Sequence, residues 1–186
     1  GGGADYIERY FQPLEMFGVD YSRNAIDFCN KVFKDSKVDY KLGDAENLPF
    51  ENGSLDVVIN VESSHCYANA TAFFADVNRV LKSGGYFSFA DFRDKEPFEN
   101  LKKELANSGF DLVKSTNISL EVLRALDDFN EEKMERFGKM FGGWLKKPLS
   151  EFAGVKGSVM YKDLSSGYTV YYHYILRKKL ILISFF

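Results

Sequence analysis

Six residues among the first 65 combine a type that can grip or act on a ligand with a place where a site would open: Asp20, Asp44, Glu46, Asn60, Glu62 and His65. They sit where short apolar runs end. Asp20 closes Met16-Phe17-Gly18-Val19, and Asp44 follows Val38 to Leu42 across Gly43. Asn60-Val61-Glu62-Ser63-Ser64-His65 is the polar burst in which the β-branched run Leu55 to Val61 ends. A run of that kind reads as a strand covered by helices on both faces. In open α/β sheets, ligands lie beyond the carboxyl ends of such strands. A carboxylate only accepts hydrogen bonds, so Asp20 suits the two neighbouring hydroxyls of a ribose. It lies 17 positions after Gly3, close to the ~20-residue spacing of a nucleotide-binding βαβ unit. Asp44 can accept from the exocyclic amine of an adenine while the Ala45 N–H donates to a ring nitrogen. Tyr21 and Glu46 adjoin these two acids. Gly1 and Gly2 stand at the start of a helical pattern, where the backbone can approach an anion and free N–H groups favour one. Each position also has a plainer reading. Asp20 can cap the helix after Ser22, Asp44 can form an Asx turn, and residues 60–65 can be an ordinary solvated loop.

The elements that must position these groups follow from the pattern. Ile7, Tyr10 and Phe11 predict a helix stopped by Pro13. A strand from Met16 to Asp20 follows, then a helix capped by Ser22 with Ile26, Cys29, Val32 and Phe33 on its face. Val38 to Leu42 is a second strand and Leu55 to Val61 a third. Asn69 or Thr71 caps a helix carrying Phe73, Phe74, Val77, Val80 and Leu81, closed by Ser83-Gly84-Gly85. Tyr86 to Ala90 is the next strand, ending at Asp91. Phe98, Leu101 and Leu105 mark a helix closed by Gly109, and Phe110 to Ile118 another strand. This alternation predicts βαβ units and a parallel sheet. Beyond it, Ser119 caps a short helix with Val122, Leu123 and Leu126. Asn130 caps another, with the stripe Met134, Phe137, Met140, Phe141, a core face or a lid over an apolar substrate. Val159-Met160-Tyr161 and Gly167 to Leu176 read as two strands, or one strand and its approach; Tyr168 to Tyr174 is strongly β-forming.

Composition narrows the function classes. The chain has 186 residues, 45% hydrophobic and 27% charged, enough to bury about 70% of the unfolded surface as one domain. A net charge of −3, with basic residues only in short clusters such as Arg177-Lys178-Lys179, argues against a nucleic-acid partner. Two cysteines, Cys29 and Cys66, make no disulfide framework and suit a reducing, cytoplasmic setting. Two histidines and two cysteines give no metal-ligand spacing. No run of 18 apolar residues spans a membrane. Leu180 to Phe186 is apolar but short; it reads as an extra strand, a weak surface anchor that leaves room for peripheral membrane contact, or a foreign tail.

The motifs GVDYS, GDAENLPF, DVVINVESSHCY and LKSGGYFSFAD resemble the successive motifs of class I S-adenosylmethionine-dependent methyltransferases, over roughly residues 1–117. The likeness is to the small-molecule group that includes sterol, tocopherol and phthiotriolone-type enzymes, the last through ESSHCY. The resemblance implies S-adenosyl-L-methionine as cofactor and a Rossmann-like sheet, mostly parallel with an antiparallel last strand. It implies that Asp20 binds the ribose, Asp44 and Ala45 the adenine, and Asn60 the sulfonium end. In that family a strand, an acid and two further glycines precede the position matched by Gly1. The chain therefore reads as a methyltransferase domain over 1–179 that starts in mid-motif, with its first strand missing and 180–186 as a tail. The matching expectation is that residues 1–186 alone are unstable or hold the cofactor poorly.

Methyl transfer needs alignment above all, and a general base where the acceptor keeps its proton. His65, of the one side-chain type whose charge ordinarily changes near neutral pH, is the first candidate base and Glu62 the second; both have loop packing as the alternative. His173, in the β-rich tail, reads as structural. The function expected is methyl transfer to a small, lipophilic acceptor through oxygen or carbon. Two other readings stand beside it. One is a non-catalytic cofactor-binding remnant or regulatory module. The other is a nicotinamide-dependent oxidoreductase, which also uses an acid after its second strand, although the Asp44-Ala45 turn has no comparable duty there.

Overall fold

The computed structural model describes residues 1–129 and 156–180. Its elements run α1 (Gly2–Phe11), β1 (Met16–Asp20), α2 (Arg23–Val32), β2 (Val38–Leu42), β3 (Leu55–Val61), α3 (Ala70–Val80), β4 (Leu81–Asp94), α4 (Lys95–Asn107), β5 (Phe110–Asn117), α5 (Ser119–Asp128), α6 (Val159–Ser166) and β6 (Thr169–Lys178). A single 3₁₀ turn, Ser64–Cys66, lies between β3 and α3. The Asn130 helix and its apolar stripe, and the tail from 181 on, lie outside the described residues.

The strands form two separate sheets. β1 pairs in parallel with β2, with Asp20 opposite Leu42. A four-stranded sheet has the order β3-β4-β6-β5. β3 and β4 are parallel, whereas β6 runs antiparallel to both β4 and β5. The mostly parallel α/β sheet with an antiparallel last strand is the one expected from the sequence.

The core is layered by strand alternation. Phe87 and Phe89 of β4, Tyr174 and Leu176 of β6 and Phe110 of β5 face α3 and α4, where they meet Phe73, Phe74, Val77, Phe98, Leu101 and Leu105. Ala90 and Tyr171 face the other way, onto Leu164 of α6 and the apolar side of α5. A separate cluster joins Ile26 and Cys29 of α2 to Val38 and Tyr40 of β2. Complete burial of a side chain the size of Phe contributes about 1.5–3 kcal/mol, so the first cluster carries most of the stability.

Local signals decide the boundaries. Ser22 caps α2 by accepting from the Ala25 N–H, and Asn69 caps α3 by accepting from Ala72. Gly84 has φ +79°, and a Cβ on Gly85 would lie 2.9 Å from the Asp56 carbonyl oxygen; only glycine lets β4 turn in this close beside β3.

Three expectations are corrected. Val159-Met160-Tyr161 is not a strand but the first turn of a helix, Val159–Ser166, so the late stretch is one strand and its approach: Ser158 caps the helix by accepting from Tyr161, and Gly167 ends it at φ 72°. Ser119 does not cap α5; its hydroxyl accepts from the Tyr171 N–H of β6 instead. β3 is not covered on both faces. Val58 packs into the core, but Val57, Ile59 and Val61 on the opposite face are 52%, 43% and 57% exposed.

Candidate functional site

The carboxyl ends of β1, β2 and β3 carry the acceptors expected there. Asp20, at the last position of β1, accepts the Ser22 N–H on Oδ1 at 2.8 Å. Asp44, two residues past β2, accepts the Glu46 N–H on Oδ1 at 2.9 Å. Both plainer readings thus hold locally: one acid steadies a helix entry, the other shapes an Asx turn. Neither use occupies the second oxygen. Among the described residues, Asp20 Oδ2 and Asp44 Oδ2 have no partner, and both side chains are exposed.

Asn60 of β3 is half-buried. Its Nδ2 donates to Ser63 Oγ at 2.8 Å and Tyr67 Oη at 2.9 Å, and those two oxygens are themselves 2.9 Å apart. Its Oδ1 is buried without a hydrogen-bond partner. A buried acceptor left unpaired is costly, and a ligand donor is one remedy. Ala45 is half-buried against the core. Glu46 is engaged within the protein, its Oε1 accepting the Asn69 N–H at 2.9 Å just before α3. Tyr21 is 81% exposed. Gly1 and Gly2 begin α1, but the Gly1 carbonyl is engaged by Tyr40 Oη at 3.1 Å.

The second half of the site is built by two strands. β3 ends and the chain turns through Glu62, a non-glycine residue at φ 53°, whose N–H is held by the Ala90 carbonyl at 2.9 Å. Left-handed backbone of this kind costs on the order of 1–3 kcal/mol and gathers at functional sites. It drops Ser64 and His65 beside Asp91 of β4. Asp91 Oδ2 accepts Ser64 Oγ at 2.6 Å and the His65 N–H at 3.2 Å. Its Oδ1 meets His65 Nδ1 at 2.9 Å and accepts the Phe92 N–H at 2.9 Å. Arg93 Nη1 lies 3.2 Å from Oδ2, and Arg93 Nη2 donates to Ser64 Oγ at 2.8 Å. The His65 ring rests on Phe92, centroids 4.5 Å apart.

Burial alone would raise the Asp91 carboxyl. The hydrogen bonds from Ser64 and His65 and the Arg93 charge outweigh it and hold the group below its usual range. A depressed folded value means the contribution to stability is full above the unfolded carboxylate range and is lost as pH falls through the folded value. Urea midpoints taken from about pH 6 down to about pH 3 should therefore decline, and the decline should be shallower in Ser64→Ala, which loses a hydrogen bond that holds Asp91 down and so narrows the gap between its folded and unfolded values.

Glu62, the second candidate base, has its partner on β6. Burial pushes the Tyr171 phenol up, and the charge and hydrogen bond of Glu62, with the Asp91 charge behind, push it further; the Glu62 carboxylate lies against that phenol. The acid that holds His65 is Asp91. His173 is structural, its Nε2 3.0 Å from Ser88 Oγ. A cleft of about 410 Å³ opens beside this network, lined by His65, Tyr67, Arg93, Glu96, Pro97 and Leu101 among others. Asp91, Ser64 and Arg93 were not singled out from the sequence. The available signal was an acid closing an apolar strand, the same one that marked Asp20.

Residues 1–89 match a family described as "Methyltransferase domain". The chain is 35% identical over 96% of its length to the phthiotriol/phenolphthiotriol dimycocerosates methyltransferase of Mycobacterium tuberculosis, spanning 66% of that protein. It is 33% identical over 79% of its length to a fatty-acid O-methyltransferase of Mycolicibacterium smegmatis, spanning 55% of it. Among solved structures, a geranyl diphosphate C-methyltransferase from Streptomyces coelicolor A3(2) covers 96% of this chain and is itself covered to 70%, with a TM-score of 0.67 at 15% identity. That likeness speaks for the fold.

Proposed function

We propose that this chain, which belongs to the class I S-adenosylmethionine-dependent methyltransferases of small-molecule type, transfers a methyl group to the oxygen or carbon of a small, lipophilic acceptor. The observation that carries the reading is His65, held through Nδ1 by a buried carboxylate and set in the wall of a cleft at the ends of β3 and β4.

The residues present fit S-adenosylmethionine. Its ribose hydroxyls, adenine amine and ammonium group are donors, and the strand ends offer acceptors: the free oxygens of Asp20 and Asp44 and the unpartnered Oδ1 of Asn60. Asp20 would hold the ribose, Asp44 and the Ala45 N–H the adenine, and Asn60 the sulfonium end. When bound, the cofactor supplies an electrophilic methyl group. The chain's own part is to orient the acceptor, exclude water and take a proton. Orientation supplies the larger share, up to ~7–11 kcal/mol; a base at His65 Nε2 adds about 10²–10⁴-fold. A base matters most for a hydroxyl, which keeps its proton at neutral pH; a fatty-acid carboxylate is already ionised. The dyad thus favours a lipid or phenolic hydroxyl as acceptor. Two free cysteines accord with a reducing, cytoplasmic setting, and among the described residues no helix is long and apolar enough to cross a membrane.

Calorimetric titration with S-adenosylhomocysteine tests the cofactor half. Weak but saturable binding is expected, with no saturable binding of NADH, and Asp20→Ala should weaken it about tenfold further, the loss of one charge-assisted hydrogen bond. Preference for NADH would transfer the chain to the oxidoreductase reading.

A further inference from the structure

We propose that Asp91 is the positioning residue for His65, fixing the imidazole with its proton on Nδ1 and leaving Nε2 bare toward the cleft. The proposal rests on the reading of His65 as the general base and assigns that base a partner on another strand.

The donors converging on Asp91 set the tautomer. Ser64 Oγ and the His65 N–H reach Oδ2, with Arg93 beside it; the Phe92 N–H and His65 Nδ1 reach Oδ1. The Asp91 side chain has no exposed surface. An ionised carboxylate has no hydrogen to give, so the proton in its contact with His65 belongs to Nδ1. A neutral ring protonated at Nδ1 presents a lone pair at Nε2. The ring plane is fixed separately by Phe92, the residue after Asp91. Arg93 completes the frame, pairing with the carboxylate and donating to the Ser64 hydroxyl that also binds it. Three consecutive residues of β4 therefore orient a side chain carried 26 positions earlier in the chain. The competing explanation is that Asp91 and Arg93 form a structural ion pair and His65 is an incidental donor.

The tautomer separates the two, read from long-range ¹H–¹⁵N spectra of labelled protein above the titration of the ring. The wild-type chain should show the proton on Nδ1. In Asp91→Asn the amide oxygen takes the place of Oδ2, where the Ser64, His65 backbone and Arg93 donors meet, against the one backbone donor, the Phe92 N–H, at Oδ1. The amide NH₂ then faces Nδ1 and drives the proton to Nε2. Methyl transfer from S-adenosylmethionine to a long-chain secondary alcohol, used as probe, should lose about 10²–10⁴-fold in kcat with KM little changed. A wild-type ring protonated at Nε2 would overturn the proposal whether or not the variant folds. So would an Asp91→Asn protein whose ring keeps its proton on Nδ1. His65→Ala in the same assay reads the underlying assignment: undiminished turnover ends the base role and this proposal with it. A fall in His65→Ala turnover alongside the wrong wild-type tautomer ends the proposal alone.

Discussion

Replacing Phe87 by alanine is expected to lower the free energy of unfolding by about 3–5 kcal/mol, the range for deleting a large aromatic from a packed core. Phe87 is fully buried on β4. Its ring centroid lies 5.9 Å from Phe73, 6.3 Å from Phe74, 5.5 Å from Phe89 and 5.8 Å from Phe110. It thus touches α3, its own strand and β5 at once, and the hole left behind has walls that belong to three elements. Collapse around it would have to move a helix relative to the sheet, so little relaxation is available. Against a total stability of about 5–15 kcal/mol, the loss is a large fraction. Urea denaturation followed by far-UV circular dichroism should show a lower midpoint with an unchanged slope, and Phe87→Leu should recover part of the difference. A midpoint unchanged in Phe87→Ala would mean that α3 and the sheet do not depend on this cluster.

Arg79 is expected to give the next largest loss, about 2–3 kcal/mol on substitution by alanine, the scale for hydrogen bonds to a charged group that leave partly buried acceptors behind. The guanidinium, near the end of α3, binds Asp76 through Nε at 2.6 Å and Nη2 at 3.0 Å. It also donates to the Phe50 and Leu48 carbonyls at 2.7 and 2.9 Å and to Asn52 Oδ1 at 3.0 Å. Asp76 in turn accepts the Leu48 N–H at 2.6 Å. One Arg–Asp pair therefore staples the stretch from the Asp44 turn to β3 onto a helix. The Arg79 side chain is 31% exposed, which keeps the figure below that for a fully buried pair. Beyond the shift in midpoint, amide exchange over residues 46–54 should accelerate, and S-adenosylhomocysteine affinity should fall although Arg79 lies on no strand end. Arg79→Lys should not rescue, because an ammonium cannot span acceptors on four residues as the planar guanidinium does.

Much of this was readable along the chain because the governing forces are local. Ser22 and Asn69 announced their helices since a side-chain acceptor facing free N–H groups acts within three residues. Strands β1, β2 and β3 and the acids at the ends of the first two showed as apolar runs broken by polar groups. What escaped depends on distance in sequence. Ser119 has the right type and place to cap α5, yet its hydroxyl serves β6, 52 positions on. Asp91 was visible as the end of a strand, but its role depends on a partner 26 residues earlier that only strand pairing brings near. The helix α6 was misread because a β-forming residue pair outweighed, on paper, two terminal signals that prevail in the fold. The exposed face of β3 could not be foreseen from Val57, Ile59 and Val61 themselves, since their apolarity does not record what stands opposite.

The place of β6 bears on how the molecule assembles during synthesis. β4 and β5 do not touch through their backbones; β6 lies between them, with Phe89 opposite Tyr174 and Ser115 opposite that same tyrosine. Phe89 must therefore wait for a residue made 85 positions later, roughly 4–17 s at ribosomal rates of about 5–20 residues per second. Throughout that interval the ladder edge of β4 and the side of β5 remain open on a tethered nascent chain, and the Phe-rich face has only its helices for cover. Assembly of this half of the sheet is then a closing step, gated by translation of residues 169–178, and a silent codon change that slows elongation between 95 and 168 would lengthen the window for edge-to-edge aggregation.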